Sequence, residues 1–203
     1  MKTTNKQQSL ATRSRALLRW TERSLFLVGG LAVSYVVLML LHARFYQEVA
    51  GDSLERQIYA EAQGGASELR AVAKEGDVLG RIEIPRLGLA VAVLEGTTSR
   101  TLQVGVGHIE GTALPGGPGN IGIAGHRDTF FRVLKDIRTG DEIQLQTATS
   151  LSRYKVDWVQ IVDPRDTAIL SPSIDSAITL VTCYPFRFIG AAPERFAVHA
   201  RKK

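Results

Sequence analysis

Apolar residues are spaced in three different ways along this chain, and each spacing predicts a different kind of element. Ser24 to Leu41 carries no charge and is apolar around the full circumference of a helix; with His42 and Ala43 at its edge it makes 20 residues, about 30 Å of helix, which is enough to cross a bilayer. Arg44 to Glu75 is polar and helix-friendly, broken at Gly64-Gly65 and resuming at Ala66. Its apolar positions are too sparse for a convincing amphipathic stripe, so it reads as a stalk that spaces the next domain or packs lightly on it. From Gly76 onward the pattern changes to short β-prone runs separated by turn residues. Strands are predicted over 78–84, 89–94, 120–124, 142–148, 154–162, 178–182 and 195–201, with short helical segments over 99–104 and 130–137. Helices this short and few do not support a parallel βαβ sheet, so the domain is all-β, a closed barrel or a sandwich. Four segments follow: a basic tail over 1–23, a membrane anchor over 24–43, a stalk over 44–75 and a β domain over 76–203.

Charge changes this picture in one respect. The chain carries a formal net charge of +5, which taken alone would suggest nucleic acid, but its first 23 residues hold six bases against the single acid Glu22 (6 − 1 = +5). The remaining 180 residues therefore balance at 19 bases and 19 acids (25 − 6 and 20 − 1), and no positive field is left to bind phosphates. Bases ahead of an apolar span instead place the amino terminus in the cytoplasm and the β domain outside, at the plasma (inner) membrane. No Ala-x-Ala follows the span, which favours an uncleaved anchor over a signal peptide. In an oxidising compartment Cys183, the chain's one cysteine, has no internal partner and calls for a chemical explanation.

Cys183 closes the run Ile178-Thr179-Leu180-Val181-Thr182, and Pro185 soon after it stops the ladder, so its thiol sits where a strand ends. His126 stands at the end of another apolar run, Ile121-Gly122-Ile123-Ala124-Gly125, with the preceding glycine giving the backbone room to turn. Its imidazole can exchange a proton with a thiol or a leaving group. Among the other histidines, His42 belongs to the membrane edge and His199 to the last strand, leaving His108 as the competitor for a base. Arg195 opens the last β run, twelve residues beyond Cys183. If the two runs pair, its guanidinium returns to the thiol, where five N–H donors suit an oxyanion or an extended peptide; Arg187 is the nearer competitor in sequence. A lone cysteine and widely spaced histidines offer no metal-ligand motif, and Gly116-Gly117-Pro118-Gly119 lacks the Lys-Ser/Thr of a phosphate loop. No cofactor or metal is expected.

Thr-Leu-Val-Thr-Cys183 with a downstream arginine, and Gly-His126-Arg-Asp upstream, resemble the signature of the sortases. The likeness extends to Gly80-Arg81-Ile82-Glu83-Ile84-Pro85, Leu114-Pro115-Gly116, Gly119-Asn120, Cys183-Tyr184-Pro185-Phe186 and Ala192-Pro193-Glu194-Arg195, and so covers roughly residues 76–203. It is most like class D or the single-anchor sortases of some Gram-negative bacteria. The resemblance implies an eight-stranded β-barrel with the site at one end, Cys183 as nucleophile, His126 as acid/base and Arg195 as oxyanion or substrate positioner. It also implies a membrane-anchored cysteine transpeptidase that cleaves a Leu-Pro-x-Thr-Gly/Ala-like sorting signal of a protein substrate and passes the acyl group to an amine at the cell envelope. Water in place of the amine would make the same site a thiol protease. A thiolate working with an imidazolium acts within a limited pH window, so a bell-shaped pH–rate profile is expected. The alternative is a membrane-tethered β-barrel that binds a partner without chemistry, its cysteine buried and His126 structural.

Overall fold

The computed structural model describes the backbone of residues 3–62 and 73–203 and the side chains of 19–59 and 73–203. The glycine break at Gly64-Gly65 and residues 66–72 of the run that resumes at Ala66 lie outside the described residues. The chain separates into two compact units, residues 1–42 and 43–203. The first is formed by the start of α1 (Thr3–Ala62). Within α1 the stretch Arg19–Tyr59 contains an 18-residue window of mean hydropathy 2.4, none of it buried; Leu25, Phe26, Leu31, Leu38 and Leu41 are all open to the surroundings. This helix is long and apolar enough to cross a membrane, which its all-round apolar pattern predicted.

The second unit is a closed eight-stranded barrel. Its strands are β1 (Val78–Ile84), β2 (Leu89–Glu95), β3 (Val106–His108), β4 (Asn120–Ala124), β5 (Glu142–Gln146), β6 (Leu151–Val162), β7 (Ala177–Tyr184) and β8 (Glu194–Lys202). Around the wall they run β1-β2-β3-β4-β7-β8-β6-β5 and close back on β1. Two neighbouring pairs, β2·β3 and β4·β7, are parallel; the rest are antiparallel. A closed wall leaves no unpaired edge, and the inward residue of each alternating pair builds one core. Ile82, Ile84, Val91, Val93, Ile121, Ile123, Ile143, Leu145, Ile178, Leu180 and Val198 meet there with Phe131, Leu134 and Tyr154. Each fully buried aliphatic side chain of this kind contributes about 1.5–3 kcal/mol relative to exposure.

Most predicted runs fall within a few residues of the observed strands, and the helix α2 (Ser99–Val104) matches its expected bounds. The differences have local causes. β3 was not expected, because Val106-Gly107-His108 is too short and too glycine-rich to show a period; it is a strand because β2 and β4 pair with it on either side. The expected helical segment at 130–137 is a 3-10 stretch over Phe130–Asp136, in which Phe131 and Leu134 reach the core. β5 ends at Gln146 because Thr147 instead organises a turn, its hydroxyl accepting from the Ser150 amide at 3.1 Å. β6 begins at Leu151, three residues early, since its first residues pair with β5.

The segment read as a stalk is also tied to the barrel. Between 46 and 54, α1 buries Ala50 and Leu54, and Ala50 joins a small cluster with Ala92 and Leu94. Gln47 acts as a stand-in for a strand beyond the start of β3: its side-chain oxygen accepts from the Ala92 amide at 2.8 Å and its amide nitrogen donates to the Val104 carbonyl. Sparse apolar positions suffice here because a glutamine amide satisfies backbone groups that would otherwise lack partners.

Candidate active site

The site is built by register. β7 and β8 pair antiparallel, and Cys183 stands directly opposite Arg195. β4 and β7 pair in parallel with a constant offset, from Asn120↔Ala177 to Ala124↔Val181 (177 − 120 = 181 − 124 = 57). The contact continues past the end of β4: the Gly125 amide donates to the Val181 carbonyl at 3.1 Å and the Thr182 hydroxyl donates to the Gly125 carbonyl at 2.7 Å. His126 follows Gly125 directly, so it stands just past the end of β4, beside the part of β7 that runs on to Cys183 and Tyr184. Three residues spread over seventy positions are thus collected at the ends of three adjoining wall strands.

Alternation decides which side of the wall they occupy. Ile178, Leu180 and Thr182 are buried, the first two in the core. Thr179 is buried as well but lies outside the core cluster, its hydroxyl donating to Asn120 Oδ1 at 2.8 Å and to the Ile169 carbonyl at 3.3 Å, beneath the 163–176 connection. Val181 and Cys183 share that phase. Cys183 is half-buried, and so are His126 and Arg195. No hydrogen bond or ion pair engages the His126 ring or the Cys183 thiol among the described residues. Arg195 Nη1 donates to the carbonyls of Glu194 (3.0 Å) and Ala192 (3.3 Å), which leaves its Nε and Nη2 donors for another acceptor. A half-buried thiol, an uncommitted imidazole and a partly free guanidinium at the ends of adjoining strands can attack a carbonyl, move a proton and hold an oxyanion.

The competitors sit elsewhere. His108 is buried and committed at both ring nitrogens: Nδ1 lies 3.0 Å from Glu95 Oε2, and Nε2 lies 3.0 Å from the Ala113 carbonyl and 3.1 Å from the Thr112 hydroxyl. It pairs with Ile123, whose phase is inward. His199 is held by Asp157 at 2.8 Å and stacks on Trp158 with ring centroids 5.0 Å apart. Arg187 is exposed in the loop between β7 and β8, whereas Arg195 is fixed by the ladder.

Several residues that shape the site do so in ways the sequence did not show. Gly125 is one, and its reason differs from the expected freedom to turn: it has no positive φ, but a Cβ there would lie 2.6 Å from the buried Phe131 ring. Asn120 holds the 163–176 connection over the outer wall, donating to the carbonyls of Ile169 (3.0 Å) and Ser171 (3.3 Å). In the same region a Cβ at Gly122 would meet Leu170 at 3.0 Å. Arg127, next to His126, donates to three carbonyls of the β7–β8 loop. The Gly-Asn and Gly-His-Arg pairs were visible in the sequence, but nothing local says which backbone groups their side chains would meet.

Comparison with known proteins agrees with this architecture. The sortase domain family matches residues 82–203. Sortase D of Bacillus subtilis is 34% identical over 128 residues, a match that spans 63% of this chain and 65% of that protein, so it covers just under two thirds of the relative's length. Among solved structures, a Clostridium perfringens Sortase D5 transpeptidase superposes with a TM-score of 0.69 at 28% identity, covering 78% of this chain and 98% of that one. Clostridium perfringens sortase C, determined with the C-terminal cell wall sorting motif, gives a TM-score of 0.62 at 29% identity over 81% of this chain and 98% of its own. With the closed barrel and the matched family domain in agreement, the chain belongs to the sortase family.

Proposed function

We propose that this chain is a membrane-anchored transpeptidase in which Cys183 is the nucleophile, His126 the proton carrier and Arg195 the stabiliser of the oxyanion. The Cys183 thiolate attacks the carbonyl carbon of the Thr–X bond in a Leu-Pro-x-Thr-Gly/Ala-like sorting signal. The electron pair moves onto the carbonyl oxygen, where the Arg195 guanidinium holds the charge as the tetrahedral intermediate forms. Collapse breaks the C–N bond, and the leaving amine takes a proton from protonated His126. A thioester remains on Cys183. An incoming amine, losing its proton to the now neutral His126, forms the new amide and releases the thiolate; water in its place gives hydrolysis.

The observation that carries this reading is the register of the wall, with Cys183 opposite Arg195 and His126 one residue beyond Gly125, whose amide and carbonyl are bonded to Val181 and Thr182 of β7. The substrate class is supported by the sorting motif in the sortase C structure, and the anchoring by the apolar helix of Arg19–Tyr59. In this reading the basic residues 1–23 stay in the cytoplasm and the barrel lies outside.

Intact-mass analysis of the full chain in detergent micelles with a panel of Leu-Pro-x-Thr-x peptides, with and without an added amine, tests the proposal. The expected result is an acyl adduct that the amine discharges and that Cys183→Ala abolishes completely. No adduct with any peptide, together with a thiol that resists alkylation until the protein is unfolded, would instead make this a binding barrel.

A further inference from the structure

The loop that joins the two central residues of the site has little of its own to hold it. Residues 185–193 form no regular structure between β7 and β8, 187–191 are exposed, and Ile189 is fully open to solvent. Apolar burial therefore does not fix its path beyond Phe186, which packs on Phe196 with ring centroids 5.0 Å apart. Yet this loop sets how Cys183 at one end and Arg195 at the other face the outer surface.

Arg127 supplies what burial does not. From the end of β4 it reaches across to the loop: Nη1 donates to the Pro185 carbonyl at 3.0 Å, and Nη2 to the carbonyls of Phe188 (2.8 Å) and Gly190 (3.2 Å). Its guanidinium carbon also lies 5.9 Å from the centroid of the Phe188 ring. No ion pair joins Arg127 to a carboxylate among the described residues, so its donors are committed to loop carbonyls. The opposite end of the loop is held by Arg195, through Ala192 and Glu194. Arg127 is the covalent neighbour of His126, so one side chain connects the histidine segment to the strand–loop–strand unit carrying the other two.

We infer that Arg127 is a positioning residue for the transpeptidation proposed above: by spanning three carbonyls with a planar fork it holds His126, Cys183 and Arg195 in mutual reach. The inference rests on that reading of the site. A lysine in its place keeps the charge but has a single ammonium that cannot reproduce the fork. Loss of alignment by even an ångström lowers a rate about 100-fold in positioned chemistry.

The test compares the full-length wild-type chain, Arg127→Ala and Arg127→Lys in detergent micelles. Acylation kinetics with an accepted Leu-Pro-x-Thr-x peptide are normalised to the Cys183 thiol that can be alkylated in the folded protein. The expected result is a kcat per thiol reduced at least tenfold in Arg127→Ala with KM within about threefold of wild type, and an intermediate kcat in Arg127→Lys. A role confined to stability would lower the melting temperature and the amount of active protein while leaving kcat per thiol unchanged. A kcat per thiol within twofold of wild type in Arg127→Ala overturns the inference. If Arg127→Ala does not fold, Arg127→Lys decides it by the same criterion. Wild-type protein that forms no adduct removes the transpeptidase reading and this inference with it, an outcome seen before any variant is compared.

Discussion

At the scale of single residues the site depends as much on what is missing as on what is present. Gly125 has no side chain because the Phe131 ring fills the space where one would be, and Phe131 itself is fully buried. The packing couples core to chemistry, because the Phe131 amide donates to the His126 carbonyl at 3.1 Å while its ring presses against the residue before it. Gly125→Ala is expected to destabilise the barrel by about 1–3 kcal/mol, the usual cost of overpacking a filled core. Because relief of the clash moves the end of β4, the acylation rate should fall as well; a variant with wild-type melting temperature and rate would show that the ring yields freely. Sequence reading singled out Cys183, His126 and Arg195 because thiol, imidazole and guanidinium announce their chemistry. It named Gly125 and Arg127 without their roles, because their partners, a ring and three carbonyls, lie six to sixty-odd residues away and carry no local signal.

At the scale of elements, what was legible is the set of runs with a clear period, such as β1 and β4, whereas β7 runs two residues past its expected end, through Cys183 to Tyr184. Strand order was not, since a closed barrel and a sandwich share the same alternation. The connections are fixed by polar side chains placed at their ends. Arg86, in the turn between β1 and β2, grips Asp141 at the threshold of β5: Nε donates to Oδ1 and Nη2 to Oδ2, both at 2.5 Å. The Arg138 amide adds a third bond to Asp141 Oδ2 at 2.8 Å. The Arg86 hydrogen bonds, the largest cause, hold the Asp141 carboxyl below the usual carboxylate range, with the Arg138 amide assisting. A depressed carboxylate stabilises the fold fully above its unfolded value, about 3.9, and that contribution fades as pH falls through the lower folded value. Asp141→Asn should therefore melt roughly 2–4 °C below wild type at neutral pH, with the gap narrowing below about pH 4. A gap that stays constant down to pH 3 would mean that the ionised carboxylate contributes nothing.

At the scale of the whole molecule the charge and hydropathy of the chain divide along the same line as its structure: a basic, apolar amino-terminal helix and a charge-balanced barrel. With the proposed topology, a membrane-impermeant maleimide added to intact spheroplasts labels Cys183, and the same reagent added to inside-out vesicles does not; labelling of the vesicles alone would reverse the orientation. The chain's one cysteine makes that reading unambiguous. The barrel wall also sets a tolerance for error. Cys183 faces outward only because Thr182 faces inward, pinned by its hydroxyl to the Gly125 carbonyl, and side chains change sides with every residue. One residue inserted or deleted between Ile178 and Thr182 would present a threonine hydroxyl to substrate and seal the sulfur inside the wall. The parity of side chains thus constrains β7 more tightly than the loops around it: the strand can change length only in pairs.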